Sequence, residues 1–135
     1  MTETPDAGST PSGWTGGLRA FGDFAPGLVH YTDRVLFDEV WERTELSKRD
    51  RSLITVAALT ATGKADQLRF HLDFARRNGV TEDELKEAIL QLAFYTGWPN
   101  AMSAMTVAKE IFTADPTDAA ASVSPSADTT TDEEH

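Results

Sequence analysis

Two stretches of this chain have no polar side. Leu53-Ile54-Thr55-Val56-Ala57-Ala58-Leu59 and Ile89-Leu90-Gln91-Leu92-Ala93-Phe94-Tyr95 are apolar almost all the way round when laid on a helix. No stretch of the sequence shows the sustained period-two alternation, bounded by turn signals, that marks a half-exposed strand. A helix that is apolar on every side needs cover on every side. A small domain cannot easily supply that twice over. The two segments therefore demand central positions or a neighbouring copy of the chain, and subunit interfaces are the expectation.

The punctuation between apolar segments is helical throughout. Pro26 suits the first turn of a helix running to about Arg43. Ser47 is a good N-cap, with Asp50 favourable near the positive end of a second helix that reaches about Thr62 and stops at Gly63. A third helix spans roughly Lys64 to Arg77 and ends at Asn78-Gly79, a left-handed stop. Thr81-Glu82-Asp83-Glu84 is a capping box opening a fourth helix to Tyr95. Gly97-Trp98-Pro99 breaks it, and Pro99 starts a fifth helix ending near Thr113. The fold class is all-α, with about five core helices and no internal repeat.

The two ends are foreign to this pattern. Residues 115–135 contain no Leu, Ile, Phe or Trp, and residues 1–17 are rich in Gly, Ser, Thr and Pro. Neither can bury enough apolar surface to offset its ordering entropy, so both are expected to be disordered tails, with Trp14 as a docking anchor. The folded domain is expected over 18–114. Of the ten excess negative charges, eight sit at the ends: Glu3 and Asp6, then Asp115, Asp118, Asp128, Asp132, Glu133 and Glu134. The pI of 4.6 is thus a property of the tails, and the domain itself has no cationic surplus with which to displace counterions from nucleic acid. No apolar run approaches a membrane span, and Met1-Thr2-Glu3-Thr4-Pro5-Asp6 lacks a secretory pattern, so a soluble cytoplasmic protein is expected. There is no cysteine, which excludes disulfides, thiolate metal sites and thiol redox chemistry.

Few side chains are left to carry chemistry. His71 lies on the third helix among Leu68, Leu72 and Ala75, where a histidine is either a satisfied core residue or a desolvated acid–base group. Arg49 and Arg51, in the run Lys48-Arg49-Asp50-Arg51, lie about 200° apart on a helix, so at most one enters a given site. Such an arginine either caps a solvated helix end or clamps a carboxylate. Tyr95-Thr96-Gly97-Trp98-Pro99-Asn100 is a tight corner with two aromatics and the free N–H groups of the next helix. It is either a plain connection or a place for an anion. No phosphate loop, zinc motif or serine-nucleophile elbow occurs, and no metal is expected.

Taken in order, Leu46-Ser47-Lys48-Arg49-Asp50-Arg51-Ser52-Leu53, Leu68-Arg69-Phe70-His71-Leu72, Asn78-Gly79-Val80-Thr81 and Tyr95-Thr96-Gly97-Trp98-Pro99 resemble the carboxymuconolactone decarboxylase family over roughly residues 24–112. The resemblance implies a helical fold related to the alkylhydroperoxidase D-like proteins, assembled as a homo-oligomer of trimers or hexamers. The peroxidase branch of that superfamily carries a Cys pair where this chain has Lys64 and Gln67, and a Glu where it has Ser52. Only His71 matches, so no thiol peroxidase activity is expected.

The decarboxylase branch matches at Arg49, Arg51, His71 and the Tyr95–Pro99 corner. It departs at Gln67, where the family usually shows Glu, and at Met102 and Ser103, where it typically shows Asn-His. The resemblance therefore implies a cofactor-free lyase of aromatic-compound catabolism acting on a small carboxylated lactone, with His71, Arg49 and Arg51 catalytic. Tyr95, Trp98, Met102, Ser103 and Gln67 would bind the substrate. The loss of the Asn-His pair leaves two alternatives open: an enzyme for a quinone-like oxidised metabolite, and a non-catalytic ring-forming ligand-binding protein.

Overall fold

The computed structural model describes residues 13–114. Every regular element among them is helical: α1 (Gly16–Phe21), α2 (Pro26–His30), a π-helical segment (Tyr31–Val40), α3 (Lys48–Ala61), α4 (Ala65–Arg77), α5 (Glu82–Thr96) and α6 (Trp98–Thr113). None of these helices is long and apolar enough to cross a membrane. The chain divides inside the first turn of α3 into two compact units, one ending at Arg51 and the other beginning at Ser52.

The first unit holds more structure than the sequence suggests. The helix expected over 26–43 is split in two: α2 passes into ten residues of π-helix, and the Trp41 N–H continues that register by donating to the Leu36 carbonyl at 2.9 Å. An additional helix, α1, precedes it and takes in Gly16 and Gly17 of the tail expected over 1–17. What anchors α1 is a buried carboxylate. Asp33 accepts from the Gly17 N–H at 2.7 Å and the Leu18 N–H at 2.9 Å, satisfying donors that a helix start leaves open. Trp14 is held as well: its N–H donates to Asp38 Oδ1 at 2.8 Å, its carbonyl accepts from Arg34, and Arg34 pairs with Asp38. Its ring stacks on Phe37 at 4.0 Å, and Phe37 continues the stack to the buried Trp41 at 5.7 Å. Residues 1–12 of the tail expected over 1–17, and the whole tail expected over 115–135, lie outside the described residues.

The second unit follows the punctuation closely. The Asp50 N–H donates to Ser47 Oγ at 3.0 Å just ahead of it, and Thr81 and Glu84 form both bonds of the capping box that starts α5. Gly63, Gly79 and Gly97 all have positive φ, and each follows the helix that the sequence ends there. The core is a set of stripes at helical spacing: Leu68, Leu72 and Ala75 of α4, Leu85, Ile89 and Ala93 of α5, and Ala101, Ala104, Val107 and Ala108 of α6, with Val56 of α3. The small residues of α6 let α4 and α5 pack closely on it. Arg76 ties the far ends together, pairing with Asp73 and Glu82 and lying 5.0 Å over the Phe112 ring.

The two segments that are apolar all round are not covered all round. The buried stripe of α3 is Ser52, Val56 and Thr60, while Ile54 is 56% exposed. Of its polar members, Ser52 is satisfied, Asn78 Nδ2 donating to its Oγ at 2.9 Å, whereas the Thr60 hydroxyl is buried without a hydrogen-bond partner among the described residues. The end of α3 is closed by Asn100 Nδ2, which donates to the Ala61 carbonyl at 3.0 Å. On α5, Phe94 and Tyr95 are 76% and 77% exposed, and Leu90 is open too.

Candidate active site

His71 sits on α4 at the edge of the buried stripe rather than within it. Leu68, Leu72 and Ala75 are fully buried, and the imidazole is half-buried beside them. Two aromatic rings of its own helix enclose it. Phe70 meets it edge-on at 5.0 Å, and Phe74 does so at 6.2 Å. That apolar surrounding disfavours the charged form, and burial pushes the His71 pKa down from 6.5 to about 4. The imidazole is therefore neutral at neutral pH. Gln67 lies one turn earlier on the same side of α4 and is exposed.

The corner between α5 and α6 is the second feature. Gly97, at φ 106°, reverses the chain, and Pro99 fits the first turn of α6. Trp98 and Met102 stand one turn apart on α6, both more than half exposed, and Ser103 is exposed beside them. Tyr95 projects from the last turn of α5. Phe94, which the motif pattern passes over, belongs here as well: its ring meets Trp98 edge-on at 5.6 Å. The four-residue step from Phe94 to Trp98 was the available signal, hidden by the helix break between them. Asn100 is not a free amide at this corner, since its side chain closes the end of α3.

Arg49 and Arg51 stand in the first unit, whereas the remaining candidates stand in the second. Arg49 lies 3.7 Å from the Asp50 carboxylate, and Arg51 donates to the Arg43 carbonyl at 3.3 Å. Both sit in the first turn of α3 and, two residues apart, point to different sides of it. Among the described residues no group of three or more His, Asp or Glu side chains is placed to hold a metal ion.

Residues 26–110 match the sequence model of the Carboxymuconolactone decarboxylase family. The chain belongs to that family. It is 43% identical over 95 residues to the 4-carboxymuconolactone decarboxylase of Acinetobacter baylyi, covering 70% of this chain and 71% of that protein. It is 38% identical over 71 residues to the nitrosuccinic acid decarboxylase of Metarhizium robertsii, covering 53% of this chain and 50% of that one. A third relative, a 15.0 kDa protein of Paracoccus denitrificans, is 27% identical over 97 residues. The family match spans α2 to α6 and takes in His71, both arginines and the corner. It also gives the all-helical architecture its place: a carboxymuconolactone decarboxylase-like domain.

Proposed function

We propose that the chain is a cofactor-free decarboxylase acting on a small carboxylated unsaturated lactone, or on a related acid from aromatic degradation that carries its own electron sink. What carries this reading is the agreement between the two named relatives, which differ in substrate but share decarboxylation in their names. An unsaturated lactone can delocalise the electron pair left by departing CO₂ into a dienolate, and a nitro group can do so as a nitronate. Neither compound needs an added cofactor for that step.

The residues then divide the remaining work. Arg49 or Arg51 clamps a carboxylate, as a planar guanidinium does bidentately. The amides at the start of α6 stabilise the developing oxyanion, and His71 moves the proton. Gln67, Tyr95, Trp98, Met102 and Ser103 shape the binding surface. The site is proposed to work within a cytoplasmic homo-oligomer, a trimer or a hexamer.

The test is product analysis on carboxymuconolactone with the wild type and with His71→Gln. A proton-transferring role predicts turnover lower by roughly 10²–10⁴ in the variant, with melting behaviour kept. A variant that loses stability yet keeps its activity per folded molecule would make His71 a packing residue. The open apolar surface of Trp98, Met102 and Phe94 favours a second reading, an enzyme for a more apolar oxidised metabolite such as a quinone. Tight quinone binding without turnover of carboxymuconolactone would select it.

A further inference from the structure

Decarboxylation consumes a proton: a carboxylate RCO₂⁻ and one H⁺ become RH and CO₂. If His71 delivers that proton, as proposed above, it must first acquire it, because the imidazole is neutral at neutral pH in the substrate-free protein. We propose that His71 takes up this proton from solvent as the substrate carboxylate binds, and that Gln67 admits the anion by presenting a neutral amide one turn away. The inference rests on the decarboxylase reading but is tested apart from it.

The geometry supports both halves. Phe70 and Phe74 desolvate the imidazole from two sides, which keeps it neutral until an anion arrives. Most of the ionised groups on α4, and Glu110 on α6 that packs against it, are engaged in ion pairs. On α4, Arg69 pairs with Glu110 of α6 at 2.6 Å, and Asp73 pairs with Arg76 at 3.0 Å and Arg77 at 3.2 Å. Arg76 also reaches Glu82 of α5. Asp66 near the start of α4 and Lys109 on α6 complete the charged groups of the two packed helices. Burial, not any of these charges, is what lowers the His71 pKa. A carboxylate at position 67 would hold an imidazolium in advance and repel the incoming anion. The Gln67 amide does neither.

The magnitudes define a usable window. An anion within a few ångströms moves an imidazole pKa up by about one to three, which brings His71 to roughly 5–7 when the site is occupied. At pH 5 the free site is then about one-tenth protonated and the occupied site about half protonated or more. The probe is paraconate, a saturated γ-lactone carboxylate that cannot delocalise the electrons of departing CO₂ and so binds without reacting.

Calorimetry of paraconate binding to the full chain at pH 5, in buffers of different ionisation enthalpy, counts the protons taken up. About 0.4 proton or more per site is expected for the wild type at that pH, close to zero for His71→Gln, and affinity that tightens as pH falls from 7 to 5. For Gln67→Glu, the His71 ring signal in NMR should titrate about one pH unit higher in the free protein, with paraconate bound about tenfold more weakly. Binding without proton uptake, uptake that survives in His71→Gln, or no binding at about 10 mM overturns the proposal. Paraconate-linked uptake in a protein that leaves carboxymuconolactone unchanged would sink the decarboxylase reading and leave this one standing. Turnover of carboxymuconolactone with no uptake would do the reverse.

Discussion

His71 shows how far one residue can be read from a sequence. Its helical spacing with Leu68, Leu72 and Ala75 places it on the inner side of α4, and those three neighbours are buried. Spacing could not say that the imidazole stops at the edge of the stripe, enclosed by Phe70 and Phe74. The resulting low pKa has a consequence for stability. Above pH 6.5 the imidazole is neutral in both folded and unfolded chains and contributes no pH dependence. Between 6.5 and about 4 the unfolded chain binds a proton there and the folded chain does not, so stability is lost as pH falls through that window. Thermal melts should therefore show the wild type falling away from its own pH 7 value faster than His71→Gln over this range. Parallel curves would assign the acid sensitivity to other groups.

At the scale of elements, α1 turns on a contact that no local pattern announces. The Gly17 N–H is held by Asp33, sixteen residues along the chain, and a Cβ at Gly17 would come within 2.8 Å of Asp33 Oδ1. Alanine favours a helix over glycine by about 1 kcal/mol, but displacing the carboxylate forfeits hydrogen bonds to a charged group worth about 1.5–3 kcal/mol each. The loss wins. Gly17→Ala is expected to lower the melting temperature, whereas Gly27→Ala in α2, where nothing lies within 4 Å of the added carbon, should be neutral or stabilising. If both substitutions stabilise, Asp33 is not what holds α1. The π-helical segment was equally hidden, because its i to i−5 bonds leave a residue pattern that reads as an ordinary helix.

For the whole molecule, the decisive observation is apolar surface left open. Ile54, Leu90, Phe94, Tyr95, Trp98 and Met102 are all exposed, and the Phe94 and Trp98 rings meet, the kind of apolar surface that a second copy of the chain would cover. A homo-oligomer, a trimer or a multiple of three, is the expected state. Light scattering should find it at micromolar concentration, and Phe94→Asp should shift it to smaller species with helicity retained. A stable wild-type monomer would remove the expectation. Deleting residues 1–12 and 116–135 should leave the assembly intact and take away most of the net charge of −10, eight units of which lie in residues 1–17 and 115–135.

The helix boundaries from Ser47 to Thr113 were legible because caps, left-handed glycines and Pro99 act within a few residues of chain, where sequence order is spatial order. The all-α class and the buried stripe of α4 followed for the same reason, since helical period alone brings Leu68, Leu72 and Ala75 to one side. Tertiary structure decided what depends on groups far apart in the chain. Asp33 and Trp14 build an extra helix at the start, Asn78 bonds to Ser52 on the buried, partly polar face of α3 and Asn100 closes its end, and Phe94 joins Trp98 across a chain reversal. It also divided the candidates, with Arg49 and Arg51 in one unit and His71 and the corner in the other. Periodicity reports which side of a helix is apolar. Which apolar side finds a partner depends on residues that periodicity never compares.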